Sequence, residues 1–471
     1  MKTPNHNLSL LTDLYQLTMA YGYWKNGWMD KEAAFNLFFR KLPFGGRYAV
    51  AAGLESVCQF IENFGFSDED ISYLATLKGN DQKPLFEKGF LEYLRKLEFS
   101  CDIDAVPEGT LVFPNEPLIR VMGPIIQCQI IESTLLNLVN FPTLIATKAA
   151  RIVEAAGDMQ VLEFGLRRAQ GIDGALTAAR SAYVGGCAAT SNAMAGRLYG
   201  IPVKGTHAHS WVMSHDTEQL SFNAYAQAMP NNCIFLVDTY DTIEGVKKAI
   251  ETGLSLRQDG YEMVGIRLDS GDLAALSIEA RKLLDEAAFP DAKIVASNDL
   301  DEYRILDLKR QGAKIDIWGV GTRLVTASEQ ASLGGVYKLS AIKEKGAWRY
   351  KLKLSEQKIK ISNPGIQQVK RFYHEGIPVK DIIYDELTGI GVDGGKELLL
   401  PVCRNGKVVY ELPELDAVRE NTLSNVLKFT QNPDAKIGGS YRYPVELSGK
   451  LSELKKRLIG ENSTRVFFSQ T

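Results

Sequence analysis

One pattern dominates the middle of this chain. Between residues 159 and 322, short apolar runs alternate with segments of helical pattern. The runs are MQVLEFG (159–165), NCIFLVDT (232–239), EMVGIRLDSGD (262–272), AKIVASND (292–299) and IDIWGVGT (315–322). Helical segments such as DGALTAARSAYV, TIEGVKKAIETG, LAALSIEARKLLDEA and LDEYRILDLKRQG follow them. Short apolar strands spaced by helices of about three turns build βαβ units and hence a parallel sheet. Repetition on this scale favours a barrel over an open sheet.

Each apolar run ends in polar residues or glycine. Phe164 and Arg167 follow the first run, and Asp238 follows the second. Arg267 and Asp269, then Asn298 and Asp299, then Gly319 and Gly321 follow the others. The carboxyl ends of parallel strands are where α/β folds bind ligands. Asp and Asn also cap helices, so one polar strand end could be a cap. Five on the same rim point to a site.

The flanks have a different texture. LLTDLYQLTMAYGYWKNG is helical, AAFNLFFRKLP strand-like, and VPEGTLVFPNEPLIRVMGP reads as a Pro/Gly-punctuated strand region. We expect an N-terminal α/β domain with an antiparallel sheet over residues 1–140. The (β/α) barrel is expected over 141–340, and a C-terminal region packing near the N-terminal domain over 341–471. KLKLSEQKIKISNPGIQQVKRFYHEG alternates Lys with apolar residues and predicts exposed strands.

Composition narrows the function classes. Apolar residues make up 45% of the 471, enough for a large core. A net charge of -3 carries no nucleic-acid footprint. The greasiest stretch, 124–150, is interrupted by Gln, Glu, Asn and Pro and does not read as a membrane span. The N-terminus MKTPNHNLSLLTDLY lacks the apolar stretch of a signal peptide. Six scattered cysteines without a CxxC pair suit reduced thiols, so a cytoplasmic location is expected.

GTHAHSWVMSH (205–215) gathers three of the five histidines. His-x-His at a barrel strand end can begin a metal site, but later strands offer no further histidine, so zinc would have to lean on carboxylates. No GxxxxGK[ST] motif is present. WGVGT (318–322) brings glycine amides and a helix start together, a fit for a phosphate. Phe164, Arg167, Arg168 and Arg267 offer an aromatic face and guanidinium forks, a fit for a flat aromatic acid.

At these stretches the sequence closely resembles the nicotinate phosphoribosyltransferase family. The resemblance rests on LLTDLYQLTMAYGYW (10–24), FFRKLPFGGRYAVAAGLE (38–55), NFPTLIATKAARI (140–152) and LEFGLRRAQGIDGALTAARSAYVGG (162–186). SNAMAGRLYGIPVKGTHAHSWV (191–212), IRLDSGDL (266–273) and WGVGTRLVTASEQASLGGVYKL (318–339) complete it. The segments run in family order to about residue 372, and EFGLRRAQG with GTxAHS is the most specific combination.

The resemblance implies a type II phosphoribosyltransferase: an irregular (β/α) barrel with an N-terminal α+β domain and a C-terminal extension. It implies that nicotinate reacts with 5-phosphoribosyl 1-diphosphate, ATP and water to give nicotinate mononucleotide, diphosphate, ADP and phosphate. This is the entry to NAD salvage from nicotinate. Mg²⁺ would be the metal, carried by the diphosphate and reached by Asp269 if by any side chain.

Site roles are carried over by motif. His209, the second histidine of GTxAHS, would be phosphorylated; His207 receives no catalytic role and His215 is left as a capping or packing residue. Tyr15 would touch the pyridine ring across a homodimer interface, and Phe164 would stack on its other face. Arg267 and Thr206 would hold the carboxylate, with Arg167 on the carboxylate or the diphosphate. Asp269 would act on ribose hydroxyls or Mg²⁺, with Ser270, Asn298 and Asp299 as further substrate-binding positions. Gly319, Gly321 and Thr322 would cradle the 5-phosphate. Three alternatives stand beside this expectation: a nicotinamide phosphoribosyltransferase, a metal-dependent barrel hydrolase, and a non-catalytic metabolite sensor.

Overall fold

The computed structural model describes residues 7–468. The first six residues, part of the stretch in which no signal peptide was read, lie outside it. The chain divides into two compact units, residues 1–147 with 332–471, and residues 148–331.

The first unit is built on a seven-stranded antiparallel sheet. Its order is Ala347–Tyr350, Gly335–Glu344, Glu32–Phe39, Ile119–Pro124, Asp102–Ala105, Leu400–Arg404, Lys407–Val408. Glu32–Phe39 is an interior strand, between Gly335–Glu344 and Ile119–Pro124, and is almost wholly buried, which is why its sequence, EAAFNLFF, scarcely alternates. A four-stranded sheet holds Lys396–Glu397, Gln367–His374, Ile377–Asp385 and Val445–Leu447. The Lys-rich stretch 351–366 expected as strand is not one. There Lys353 and Ser362 join through the Ser362 hydroxyl, which accepts the Lys353 N–H at 2.9 Å, and a Pro-Gly pair follows. No ladder forms until Gln367.

The second unit carries a six-stranded parallel sheet: β1 (Gln160–Glu163), β2 (Ala189–Thr190), β3 (Ile234–Leu236), β4 (Gly265–Leu268), β5 (Lys293–Ala296) and β6 (Ile317–Val320). The order is β2-β1-β6-β5-β4-β3. First and last strands pair, Val161 opposite Trp318, as strands of a barrel do. The two strands left at the edges are β2 and β3. Interior residues such as Val161, Ile266, Ile294 and Trp318 are buried, consistent with a parallel sheet covered by helices.

Three helices after these strands begin by the same device. Asp241 accepts the N–H of Glu244, Asp272 those of Ala274 and Ala275, and Asp301 those of Tyr303 and Arg304. Each cap satisfies N–H groups that the helix start leaves open. Each follows three residues after another Asx: Asp238, Asp269 and Asn298. Helix capping is thereby assigned to the second residue of each pair, and the first takes no part in it. Among the described residues no helix is long and apolar enough to cross a membrane, and all six cysteines are buried and unbridged.

Candidate active site

Arg267, at the carboxyl half of β4, is the centre of the rim. Its Nε donates to Ser297 Oγ at 2.9 Å, Nη1 to Thr206 Oγ1 at 3.0 Å and Nη2 to Asp269 Oδ1 at 2.9 Å. Ser297 also donates to Asp269 Oδ1. These partners hold the guanidinium plane, the feature that makes arginine selective for carboxylates. The guanidinium carbon stands 5.7 Å from the centroid of the Phe164 ring.

Phe164 is fixed from two sides. Its N–H donates to Val320 O at 2.7 Å. Its ring occupies the space that a side chain at residue 319 would need: a Cβ on Gly319 would lie 2.7 Å from two ring carbons. Gly319 is within β6, in register with Leu162, so the glycine there makes room for the aromatic ring. Gly321 and Thr322 follow at the strand end. Leu324 and Val325 N–H turn back to Gly321 O, and Thr322 and Arg323 N–H have no partner among the described residues. Gly165 is equally constrained, since a Cβ would meet Val325 Cγ1 at 2.3 Å.

Asp238 and His209 form the other half. The Asp238 carboxylate is almost fully buried. Its Oδ2 accepts the Asp269 N–H at 2.9 Å and the Ser270 hydroxyl at 2.5 Å. Its Oδ1 has no hydrogen-bond partner among the described residues. The Nε2 of His209 lies 4.0 Å from that oxygen and 3.8 Å from Asp269 Oδ2, and Nδ1 lies 3.1 Å from Thr239 Oγ1. The histidine is partly exposed at the first turn of the helix His209–Met213.

The unit therefore joins Phe164, Thr206, His209, Arg267, Asp269, Ser270, Gly319 and Gly321 through one run of contacts. Arg167 is exposed on a short turn, Leu166–Arg168. Asn298 and Asp299 follow β5 with φ of 95° and 45°. Left-handed backbone at two consecutive non-glycine residues is strained and concentrates at functional loops. Tyr15 lies in the first unit, half exposed on the first turn of Leu14–Lys25. A cavity of about 410 Å³ lined by Met29, Tyr93, Lys96 and Gln127 also lies in the first unit and holds none of the expected site residues.

Sequence reading missed four participants. Asp238 was seen only as a strand end, yet its offset from the cap Asp241 equals that of Asp269 from Asp272, which was a usable signal. Ser297 and Thr239 act by orienting Arg267 and His209, and nothing in their spacing marks them. Glu163 is buried and accepts the Gly165 N–H and, at 2.5 Å, the Thr190 hydroxyl. Burial pushes its carboxyl up against the opposing pull of those two bonds.

The His-x-His spacing does not make a metal pair. His207 is buried and its Nε2 accepts the Leu236 N–H, so it turns away from His209. Among the described residues, no three His, Cys, Asp or Glu side chains group to hold an ion. His215 packs on Trp211, its Nδ1 2.9 Å from the Trp211 carbonyl.

Comparison with known proteins agrees over nearly the whole chain. Residues 10–140 match the model of the nicotinate phosphoribosyltransferase N-terminal domain, and residues 159–368 that of the nicotinate phosphoribosyltransferase family. A nicotinate phosphoribosyltransferase of Bacillus subtilis is 43% identical, the match spanning 98% of this chain and 97% of the relative. The crystal structure of human nicotinic acid phosphoribosyltransferase superposes with a TM-score of 0.82 at 32% identity, covering 95% of this chain and 99% of that one. The nicotinate-nucleotide pyrophosphorylase of Pyrococcus furiosus shares the fold, with a TM-score of 0.69 at 21% identity over 90% and 96% of the two chains. The chain belongs to the nicotinate phosphoribosyltransferase family.

Proposed function

We propose that this enzyme transfers the phosphoribosyl group of 5-phosphoribosyl 1-diphosphate to the ring nitrogen of nicotinate, with ATP hydrolysis coupled through His209. Family membership supports the overall reaction. The observation that carries the substrate assignment is Arg267, locked by Ser297, Thr206 and Asp269 beside the Phe164 ring. That pairing suits a planar ring bearing a carboxylate, and it favours nicotinate over the neutral nicotinamide.

The pyridine nitrogen holds a free lone pair and needs no base. It attacks the anomeric carbon as the bond to diphosphate breaks, through a transition state of oxocarbenium character. Alignment of the two reactants is then the main task of the protein. Phe164 stacks the ring, Arg267 and Thr206 anchor its carboxylate, and Arg167 is available to either anion. Asp269, Ser270, Asn298 and Asp299 face the ribose. The N–H groups after Gly321, with Gly319 at the strand end below, receive the 5-phosphate.

Two carboxylates near Nε2 of His209 favour the tautomer with its proton there; the Nδ1 lone pair then accepts the Thr239 hydroxyl at 3.1 Å and takes the phosphoryl group when that bond opens. The γ-phosphoryl of ATP passes to that nitrogen and ADP leaves; later attack by water restores the imidazole and releases phosphate. The buried, unpartnered Asp238 Oδ1 and the Asp269 carboxylate form an oxygen donor set that fits Mg²⁺, which takes one or two carboxylates plus substrate phosphates. Bound there, the ion would neutralise charge on the leaving diphosphate.

The first-turn residue Tyr15 is exposed together with Leu11, Leu14 and Met19, an apolar face that suits contact with a second copy. A homodimer in which Tyr15 reaches the partner's pyridine follows from this reading. An assay for nicotinate mononucleotide with and without ATP, run with nicotinate and nicotinamide in parallel, tests the function. Equal turnover of the two pyridines, or none of either, would refute it.

A further inference from the structure

Among the described residues the edge strands β2 and β3 of the parallel sheet do not pair with each other, which leaves a gap in the hydrogen bonding at those two edges. Along β3 the N–H groups alternate in direction. Val237 N–H reaches Arg267 O of β4 at 3.2 Å, so Leu236 N–H points to the opposite side, where no strand of the sheet lies. Across the gap, Thr190 of β2 donates to Pro202 O and accepts from Lys204 N–H, both at 3.0 Å. The chain thus runs beside β2 as far as residue 204.

His207 spans the remaining distance. Its Nε2 accepts the Leu236 N–H at 3.1 Å. The ring is buried among Phe222, Tyr225 and Phe235. Burial pushes its pKa down to about 4, against the opposing effect of the Ala208 backbone, so the acceptor lone pair persists at neutral pH. With Nε2 accepting, the ring proton belongs on Nδ1.

The flanking residues give this bond its reach. Thr206, just before His207, is tied to Arg267, and His209 lies two residues after His207. On the other strand Leu236 precedes Asp238 by two residues. We propose that His207 is a positioning residue: by accepting the Leu236 N–H it closes the barrel seam and sets the separation of His209 from Asp238. Its kinetic consequence rests on His209 being the phosphoryl acceptor; its structural consequence does not.

His207→Phe keeps a ring and removes the acceptor, whereas His207→Gln offers an amide oxygen near the Nε2 position. His207→Phe is expected to lower ATP hydrolysis roughly tenfold while the nicotinate KM changes less than about twofold, and His207→Gln to restore most of the rate. A folded Phe variant with wild-type ATP hydrolysis, or a Gln variant no better than Phe, would overturn the proposal. The ¹⁵N shifts of the His207 ring in the unmodified enzyme test it without a variant and without ATP. A neutral ring with its proton on Nδ1 is expected near neutral pH; a proton on Nε2 overturns the proposal. Should His209→Ala leave ATP hydrolysis intact, the reading of His209 fails by itself and the ring tautomer still decides the role of His207.

Discussion

Arg267 holds its guanidinium 5.7 Å from the centroid of the Phe164 ring while three side chains fix its plane. A ligand lying on that ring meets the cation at its edge. Arg267→Ala is therefore expected to raise the nicotinate KM by about tenfold or more, the usual effect of losing a charged hydrogen bond. Nicotinamide turnover should change far less. Steady-state kinetics with both pyridines reads the difference, and an unchanged nicotinate KM would remove Arg267 from the carboxylate site.

Gly319→Ala is the sharpest test of how Phe164 is held. The added methyl would meet the ring at 2.7 Å within a buried strand. Overpacking of this kind costs about 1–3 kcal/mol. Thermal unfolding should show the loss, and the nicotinate KM should rise with it. Alanine tolerated with wild-type stability and KM would mean that the ring is placed by other contacts.

His209→Ala should abolish ATP hydrolysis and ATP stimulation, while slow synthesis continues at high substrate concentration. Following ADP and nicotinate mononucleotide in the same reaction separates the two effects. ATP coupling that survives the change would assign the phosphoryl acceptor elsewhere.

Asp238→Asn replaces one of the carboxylate oxygens by an amide nitrogen. That nitrogen cannot accept from Asp269 N–H or Ser270, or else it faces His209 as a donor. ATP hydrolysis is expected to drop by about tenfold or more, as for a lost bond to a charged group. The nicotinate KM should move little. Equal losses in both would make Asp238 a general support of the rim.

His207 also makes stability depend on pH. Its folded pKa of about 4 lies below the ordinary 6.5, so the unfolded chain binds the proton more readily between those values. The contribution is fully present above 6.5 and is lost as pH falls toward 4. Denaturant unfolding of the wild type should lose about 3 kcal/mol across that window from this group, and His207→Gln should flatten the slope. Parallel slopes for the two proteins would contradict the burial of a neutral imidazole.

Five of the six parallel strands were legible because they are apolar runs followed by helical segments, and the rim because polar residues or glycine end each run; β2, two residues long, carries no such run. The Arg267 and Phe164 neighbourhood followed from motif and position together. Other features depend on where a side chain points after folding. His207 and His209 are two residues apart in one motif, yet one ring enters the core and the other faces Asp238. Gly319 reads as part of a phosphate loop, whereas its packing role appears only once Phe164 is placed against it. Residues 351–366 have the alternation of a strand but form no ladder: Lys351 and Gly365 both donate to Ser340 O, and Lys353 to Ser362 Oγ, a choice that depends on distant residues.

The paired Asx residues at the strand ends have a consequence for change over time. Asp241, Asp272 and Asp301 start their helices without help from Asp238, Asp269 or Asn298. A mutation at the strand-end member of a pair can therefore change the rim without removing the cap of the helix behind it. Such a scaffold leaves its strand-end positions open to selection while the framework stays intact.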